Sequence, residues 1–255
     1  MDPRESPLFV KSVEKAFAVL RAFTREHHAM TLAEIGQKAK LDKSSAQRFV
    51  HTLHTLGYLV KEQGGRDYQL SPRLLEFGFS YMDMDPLITR SREPLKQLHE
   101  VTGEAVNLAK IDNDDIILVS RWARRTIVSV NIQVGSRLPA AYMASGRVLI
   151  ASRPQEEQEA FLERVQLHRH TQHSIVDIEA LREELQRVRA QGYCISRSQY
   201  FYGDLSIAAP IFDERGVAAA SASVNLIELD GPDKGRETEL LAQLLEATRK
   251  SSFSR

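Results

Sequence analysis

The chain has 255 residues, 42% of them hydrophobic, which is enough for one long domain or two moderate ones. Its 34 basic and 34 acidic residues balance, and this excludes a protein that coats nucleic acid indiscriminately. No apolar run reaches the roughly 18 residues that a membrane span needs, so the sequence predicts no membrane partner.

The first 70 residues show the pattern of three helices and a hairpin. The first helix is predicted to begin at Ser12 as its N-cap. Thr31 and Glu34 form the pattern of a capping box before the second helix, and Gly57 stands where a cap is expected after the third. The predicted elements are helices over residues 12–23, 32–39 and 44–56 and strands over residues 58–62 and 66–70. Because a glycine pair separates the strands, they predict a β-hairpin, and the whole pattern is typical of a winged helix-turn-helix.

The third predicted helix turns a polar face to solvent. In a helix-turn-helix this helix enters the major groove, and Gln47 and Arg48 are the side chains best able to read adenine and guanine edges there. The candidate DNA contacts are Lys43, Ser44, Ser45, Gln47, Arg48 and His51 on the helix and Lys61 and Arg66 in the wing. The alternative is a solvated helix face, and solvated hairpin charges explain the two wing residues equally well. The capped second helix, the short turn and the wing together favour DNA. The 12 basic against 8 acidic residues in residues 1–75 agree with this interpretation.

The rest of the chain alternates strands and helices. A helix over residues 71–84 leads to Asp85-Pro86, where the sequence predicts a boundary. Beyond it, the predicted helices cover residues 93–102, 143–152, 155–165, 177–191 and 233–249, and the predicted strands cover residues 105–111, 116–122, 127–134, 193–198, 206–213 and 217–226. This order indicates an α+β module in which helices cover an antiparallel or mixed sheet. We predict a winged helix-turn-helix domain over residues 9–71, a linker helix over 72–85 and an effector-binding domain over 86–250.

The patterns that accompany enzyme chemistry are missing. Cys194 is the only cysteine, which rules out an intrachain disulfide and a cysteine-based zinc site and fits the cytoplasm. His168, His170 and His173 have a metal-like spacing, but a polar loop explains them better than a zinc site. No nucleophile with a paired base, no Walker motif and no GxGxxG pattern occurs. The sequence therefore predicts no catalytic residue, no metal and no cofactor, and residues 1–8 lack the apolar stretch of a signal peptide.

Seven segments together resemble the IclR family of bacterial transcription regulators. They are FVKSVEKA at residues 9–16, TLAEI at 31–35, KSSAQR at 43–48, LGYL at 56–59, LPAAYMASGRVL at 138–149, GY at 192–193 and IAAPIFD at 207–213. The resemblance covers roughly residues 9–250. It implies a C-terminal domain with a GAF- or profilin-like mixed sheet and helices, and a regulator without enzyme activity.

The resemblance also implies an effector pocket in the C-terminal domain. Its members, carried over residue by residue, are Leu138, Ala144, Ser145, Ser196, Ser206, Ser221 and Ser223, with Ile127 and Val130 as apolar walls. Residues 127 and 130 are an odd number apart on a predicted strand, so alternation places them on opposite faces unless a bulge reconciles them. Without a bulge one of the two is wrong, and we favour Val130. A turn of small residues that enters a helix exposes backbone N–H groups that suit a carboxylate.

The sequence departs from the family pattern after Gly192-Tyr193. The acidic pair common in the family is replaced near Ser198-Gln199, and three aromatic residues follow at positions 200–202. With Arg197 nearby as a further pocket residue, these aromatic side chains favour an aromatic acid over a two-carbon acid. The alternative is that they pack elsewhere or lie outside the pocket.

The sequence thus indicates a ligand-responsive regulator of a catabolic operon. Such a protein binds palindromic double-stranded operator DNA as a homodimer or a dimer of dimers, and it responds to a small carboxylate effector. The alternative is a metabolite-binding protein or enzyme that uses its N-terminal domain for protein contacts. The exposed Gln47 and Arg48 and the missing nucleophile weigh against that alternative. The sequence leaves repression and activation equally open.

Overall fold

The computed structural model describes residues 3–62, 64–124, 132–228 and 233–253. The chain divides into two compact units, Met1–Tyr81 and Met82–Arg255. Within the described ranges, no helix combines the length and the apolar character that crossing a bilayer requires.

Three helices and three short strands enclose the core of the first unit. Its elements are α1 Lys11–Arg21, β1 Ala29–Met30, α2 Leu32–Lys38, α3 Lys43–Thr55, β2 Leu59–Lys61 and β3 Tyr68–Leu70, with 3₁₀ turns at Pro3–Glu5 and Pro72–Leu74 and with α4 Leu75–Met84 running past the division between the units. The strands form an antiparallel sheet in the order β1-β3-β2. Val19, Ile35 and Val50, one from each of the first three helices, pack with Leu59 in the core. This is the predicted winged helix-turn-helix.

The helix caps of the first unit explain where its chain turns. Thr31 Oγ1 accepts from the Glu34 backbone N–H at 3.3 Å, and Glu34 Oε2 accepts from the Thr31 N–H at 2.8 Å, so the predicted capping box is confirmed. Gly57 follows α3 with a φ of +80°, a conformation that side chains disfavour. The Ser12 cap is wrong: Val10 is the N-cap of α1, and no side chain bonds there.

A six-stranded sheet with helices on both faces makes up the second unit. Its elements are α5 Pro86–Thr102, β4 Ala105–Asp112, β5 Asp115–Trp122, β6 Arg137–Pro139, α6 Ala144–Ala151, α7 Gln155–Arg164, α8 Ile178–Gln191, β7 Cys194–Arg197, β8 Asp204–Phe212, β9 Ala218–Ile227 and α9 Lys234–Ser251. The strand order is β6-β5-β4-β9-β8-β7, and each neighbouring pair runs antiparallel. The α+β class is confirmed. The mixed sheet is wrong, because short turns rather than crossover helices join β4 to β5, β7 to β8 and β8 to β9.

The two faces of this sheet pack against different helices. Val106 of β4 and Val224 of β9 lie in a core shared with α5 and α9. On the opposite face, Ala109 and Ala208 lie in a core with Val148 of α6 and with α7 and α8. We call these the α9 face and the α6 face. Because side chains alternate along a strand, neighbouring residues lie on opposite faces and residues two positions apart lie on the same face.

The start of α5 differs from the prediction. The helix begins at Pro86 rather than at residue 93, because the Asp85 carboxylate accepts hydrogen bonds from the N–H groups of Leu87 and Ile88 at 3.0 and 3.2 Å. A proline in the first turn loses no helical hydrogen bond. The predicted break at Asp85-Pro86 is therefore also the beginning of a helix.

The region between β5 and α6 was only partly anticipated. The short strand β6 lies in a stretch for which the sequence predicted neither a helix nor a strand, and it pairs with β5 through Leu138 opposite Ile116. Residues 125–131 lie outside the described residues. That gap contains residues 127–131 of the predicted strand 127–134. It also contains both predicted apolar walls, Ile127 and Val130.

Candidate DNA interface and effector site

Small residues hold the second and third helices of the first unit close together. A Cβ on Gly36 of α2 would lie 3.1 Å from the Cβ of Ala46 on α3. Ala46, Val50 and Leu53 are the buried residues of α3. The Leu41 N–H in the turn donates to the Gly36 carbonyl at 2.8 Å. The other side of α3 is consequently the side presented to solvent.

The solvent side of α3 and the wing carry seven of the eight predicted DNA contacts in exposed positions. These are Lys43, Ser44, Gln47, Arg48, His51, Lys61 and Arg66. Four of them are positively charged, and the helix residues add hydrogen-bond donors and acceptors. Such a surface can contact both phosphates and base edges.

Ser45, the eighth predicted contact, has a different role in the free protein. Its N–H and its Oγ both donate to the Asp42 carboxylate, at 2.9 and 2.7 Å, so Asp42 caps α3. The hydroxyl of Ser45, followed by its N–H, lowers the pKa of Asp42. The Asp42 carboxylate thus occupies the start of α3 beside Ser45, one of the candidate DNA contacts.

Arg73 anchors the other end of α3. Its Nη1 donates to the Leu56 carbonyl at 2.9 Å, and its guanidinium lies 5.6 Å from the ring centroid of Tyr58. A cation at the C-terminal end of a helix satisfies a carbonyl and the helix dipole together. Arg73 was not predictable from the local sequence pattern, because its hydrogen-bond partner lies 17 residues earlier in the chain.

The predicted pocket serines share the α6 face of the sheet. Ser221, Ser223 and Asn225 alternate along β9, and Ser206 of β8 lies opposite Asn225. Ser196 of β7 lies opposite Ser206 in turn. Ser196, Ser206, Ser221 and Ser223 are all buried. The sheet therefore brings the four serines into one polar region.

The start of α6 is fastened to this polar region by two of the serines. Ser221 Oγ donates to the Ser145 carbonyl at 3.3 Å, and Ser196 Oγ donates to the Tyr142 carbonyl at 3.4 Å. Ala144 and Ser145 are buried in the first turn of α6, and the N-cap residue of this helix, Met143, forms no side-chain cap hydrogen bond. The backbone N–H groups of a helix start are thereby placed beside the serines, and they favour a negatively charged group.

A chain of hydrogen bonds extends the polar region across the sheet. Asn225 Oδ1 accepts from Asn107 at 2.7 Å and from Ser223 at 2.9 Å, and its Nδ2 donates to Ser206 Oγ at 2.7 Å. Arg121 Nη1 on β5 donates to Asn107 Oδ1 at 2.7 Å. Neither asparagine nor Arg121 was among the predicted site residues, although alternation along the strand from Ser223 indicates Asn225.

Asp204 is a further polar residue of the α6 face, two positions before Ser206 on β8. Burial raises the pKa of its carboxyl to about 7, and the positive charge of Arg121 opposes this change. Burial likewise lowers the pKa of Arg121, against the charge of Asp204. Carboxyl groups with such shifted pKa values are typical of binding sites as well as of structural networks.

Arg197 is not a pocket residue. It follows Ser196 directly on β7, so its side chain lies on the α9 face. There its Nε lies 3.1 Å from Glu228 Oε2, and its Nη2 forms an ion pair with Glu237 of α9. The prediction that placed both residues in the pocket is wrong. Val130 lies outside the described residues, and Leu138 is half-buried against the core that contains Ala144.

Two of the three aromatic residues after β7 take part in a cluster of ring contacts. The ring centroids of Tyr200 and Phe201 lie 4.8 Å apart, and Tyr200 lies 4.3 Å from His170. His170 in turn contacts Tyr142 at 4.7 Å, whereas Tyr202 is 80% exposed. Tyr200 also packs against the core that contains Ala144, so the aromatic residues lie partly beside the predicted pocket and partly in solvent.

A buried arginine ties the entry loop of α6 to its surroundings. Arg147 Nε donates to the Ala141 carbonyl at 2.7 Å, and Nη2 donates to Gln199 Oε1 at 2.8 Å. Nη1 lies 3.5 Å from Glu184 Oε1. Burial raises the pKa of Cys194 on the adjacent strand to about 12, so this residue is a neutral thiol. Arg147 positions the loop before α6, and Cys194 packs beside it.

Comparison with known proteins assigns both units. The IclR helix-turn-helix domain model matches residues 12–63, and the model of the bacterial transcriptional regulator IclR C-terminal matches residues 79–253. The chain belongs to the IclR family. It is 33% identical to the Pca regulon regulatory protein of Pseudomonas putida over 86% of this chain and 75% of that one. It is 32% identical to the HTH-type transcriptional regulator KdgR of Escherichia coli over 98% of this chain and 95% of that one.

A solved IclR homologue has the same fold. The crystal structure of the homologue from Microbacterium hydrocarbonoxydans, complexed with 4-hydroxybenzoate, superimposes with a TM-score of 0.81. It is 24% identical and covers 94% of this chain and 97% of that one. Membership of the IclR family makes this chain a DNA-binding, effector-binding transcription regulator and not an enzyme.

Proposed function

We propose that this IclR-family regulator controls a catabolic operon in response to a small carboxylate, with an aromatic acid preferred. The observation that carries the proposal is the uncapped start of α6 beside buried serines on the α6 face. Backbone N–H groups and hydroxyls at one place suit a carboxylate. The residues proposed to hold the acid are Ala144, Ser145, Ser206, Ser221 and Ser223, with Ser196 and Leu138 beside them.

The aromatic preference has one support outside this chain. The Microbacterium homologue shares the fold and was solved with 4-hydroxybenzoate, so this fold accommodates an aromatic acid. Ala144 and Ser145 at the start of α6 are small, which suits a site that holds a ring. Arg197 has no part in this proposal, because it lies on the α9 face.

On DNA, we propose that α3 reads bases and that the wing contacts the backbone. Gln47 and Arg48 match adenine and guanine edges, whereas Lys43, Lys61 and Arg66 match phosphates. A palindromic operator and a dimer or a dimer of dimers follow from the small number of bases that one α3 can read. In the free protein the Ser45 hydroxyl donates to the Asp42 carboxylate. We therefore assign Ser45 to stabilising the start of α3 rather than to contacting bases in the major groove.

The first test is operator binding with a matched pair of variants. Arg48→Ala removes a proposed base contact and should cost about 1–3 kcal/mol per α3 bound, felt twice in a dimer. The control is Arg21→Ala, which removes the same charge from an exposed position on α1. Gel shifts on the DNA upstream of the chain's own gene should show loss of binding for Arg48→Ala only. Equal binding by both variants and the parent would remove Arg48 from the interface.

The second test identifies the effector class. Thermal unfolding of the parent protein is followed with aromatic and short aliphatic acids, because an acid present at 100 times its Kd stabilises the protein by about 2.7 kcal/mol. We expect aromatic acids to raise the midpoint and to change operator affinity. Stabilisation by aliphatic acids alone would contradict the aromatic preference, and no effect of any acid would contradict the carboxylate site.

A further inference from the structure

His54 of α3 lies beside the wing, one turn beyond His51, the last predicted DNA contact on this helix. The two histidines are three positions apart, so they lie on the same side of the helix, and both are exposed. His54 Nδ1 lies 3.0 Å from the Leu59 carbonyl oxygen at the base of the wing. Because a carbonyl only accepts, Nδ1 carries the hydrogen and donates it. A side chain of α3 is therefore bonded directly to the backbone of β2.

The direction of the Leu59 carbonyl follows from the sheet. β2 is an outer strand of the sheet β1-β3-β2. The Tyr58 carbonyl accepts from the Ser71 N–H at 2.9 Å, so it points towards the end of β3. Successive carbonyls of a strand point to opposite sides, and the Leu59 carbonyl therefore points away from β3. On that side His54 supplies the donor that a strand would otherwise supply.

Ring contacts continue from His54 to a cation of the wing. The ring centroids of His54 and Tyr68 lie 5.9 Å apart, with an angle of 79° between the ring planes. Lys61 lies opposite Tyr68 in the register of β2 and β3, and its Nζ lies 5.6 Å from the Tyr68 ring centroid. An aromatic ring attracts an ammonium group at this distance. The place of Lys61 relative to α3 thus depends on the Tyr68 ring, which His54 contacts from the helix.

The wing has few contacts of its own that could fix its position. β1 has two residues, and β2 and β3 have three each. Hairpins this short are at best marginally stable without tertiary contacts. A lysine side chain also loses much conformational entropy when it is held in one place. Contacts that orient the wing before DNA binds reduce this cost at the moment of binding.

We propose that His54 is a positioning residue of the DNA interface. It holds the wing against α3, so that Lys61 contacts a phosphate of the duplex whose bases α3 reads. His54 acts through the Leu59 carbonyl and the Tyr68 ring and needs no DNA contact of its own. This inference rests on the proposed function, which assigns Lys61 to phosphates and α3 to base edges.

The experiment measures how salt weakens DNA binding by the full chain. Fluorescence anisotropy follows binding to the DNA upstream of the chain's own gene and to an unrelated duplex of the same length, since phosphates are present in both. Lys61→Met should make the slope of log K against log salt less steep by about 1.8 in a dimer, because each lost phosphate contact contributes about 0.9. His54→Ala should produce most of this change. The double variant should have the slope of Lys61→Met alone, because both substitutions remove the same contact.

Matched variants separate positioning from a general loss of structure. His54→Asn keeps an N–H donor near the place of Nδ1, and Tyr68→Phe keeps the ring, so both should retain the parental slope. Tyr68→Leu loses the ring and should reproduce His54→Ala. His28→Ala, on an exposed histidine before β1, is the control and should leave the slope unchanged. Circular dichroism should show all variants folded.

The preference for the upstream DNA over the unrelated duplex should survive His54→Ala, because α3 still reads bases. Loss of that preference together with the slope would overturn the inference, since His54 would then stabilise α3 as a whole. A parental slope for His54→Ala would also overturn it. So would additive changes in the double variant, which would give His54 a DNA contact of its own. These three outcomes leave the proposed function standing. A parental slope for Lys61→Met would instead overturn the proposed wing contact, and the inference with it.

Discussion

The carboxyl of Asp204 makes the stability of the second unit depend on pH. Burial raises its pKa from 3.8 to about 7, and the positive charge of Arg121 opposes this rise. The folded protein therefore holds this proton more tightly than the unfolded chain does. The resulting stabilisation is complete below the ordinary pKa of 3.8 and is lost as the pH rises through about 7.

Asp204→Asn removes this ionisation and should reverse its effect. We expect the variant to exceed the parent in free energy of unfolding by about 1–3 kcal/mol near pH 8, with no such gain near pH 4. Urea unfolding at the two pH values measures the difference. Asp83→Asn, on an exposed residue of α4, serves as the control and should change neither value. A gain of the same size at both pH values would show that ionisation of Asp204 is not its source.

Alternation along strands decides how much of the effector site is readable from the sequence. It places Ser221 and Ser223 together correctly, and it also shows that Ser196 and Arg197 cannot share a face. Asn225 and Asp204 were within reach of the same rule. Arg121 was not, because its place depends on the register between β4 and β5, which the sequence does not state.

At the scale of elements, the entry to α6 depends on one glycine. A Cβ on Gly146 would lie 2.2 Å from the Ala140 carbonyl oxygen, far inside van der Waals contact. The loop before α6 therefore approaches the helix too closely for any side chain. Because Arg147 also fixes this loop through the Ala141 carbonyl, the loop cannot move aside without breaking that bond.

Gly146→Ala should consequently destabilise the second unit by about 1–3 kcal/mol or more and weaken acid binding. Gly78→Ala is the matched control, since Gly78 lies inside α4 with nothing within 4 Å of an added Cβ. That substitution should stabilise the chain by about 0.5–1 kcal/mol. Thermal unfolding of the two variants should thus shift in opposite directions. A neutral Gly146→Ala would mean that the loop is free to adjust.

Helices and hairpins with strong local signals were predictable, and elements defined by their partners were not. The capping box of Thr31 and Glu34 and the glycine after α3 carry their own signal. β6 has only three residues, and its strand conformation depends on pairing with β5. The sequence predicted a boundary where α5 begins, because Asp85-Pro86 is equally typical of a turn and of a helix start.

At the scale of the whole molecule, charge is unevenly distributed between the two units. The chain is neutral overall, yet residues 1–75 hold 12 basic and 8 acidic residues. The exposed cations of α3 and the wing belong to this excess, whereas Asp42 places a negative charge at the start of α3. Binding to DNA is then expected to rest on a few local contacts rather than on the net charge of the protein.

Salt should weaken operator binding, and the steepness of this effect should be proportional to the number of contacts with DNA phosphates. If Lys43, Arg48, Lys61 and Arg66 all meet DNA in each half of a dimer, about eight contacts form. The slope of log K against log salt then has an upper limit of roughly −7. Lys43→Met should make the slope less steep by about 1.8 in a dimer, because each lost phosphate contact contributes about 0.9.

Fluorescence anisotropy of a labelled operator, titrated at salt concentrations from about 50 to 300 mM, measures this slope. Arg215→Met in the second unit removes a charge without touching the proposed interface, so its slope should equal that of the parent. A slope near zero for the parent would mean that the cations of α3 and the wing are solvated. An equal change in slope for Arg215→Met and Lys43→Met would mean that DNA responds to total charge and not to the face of α3.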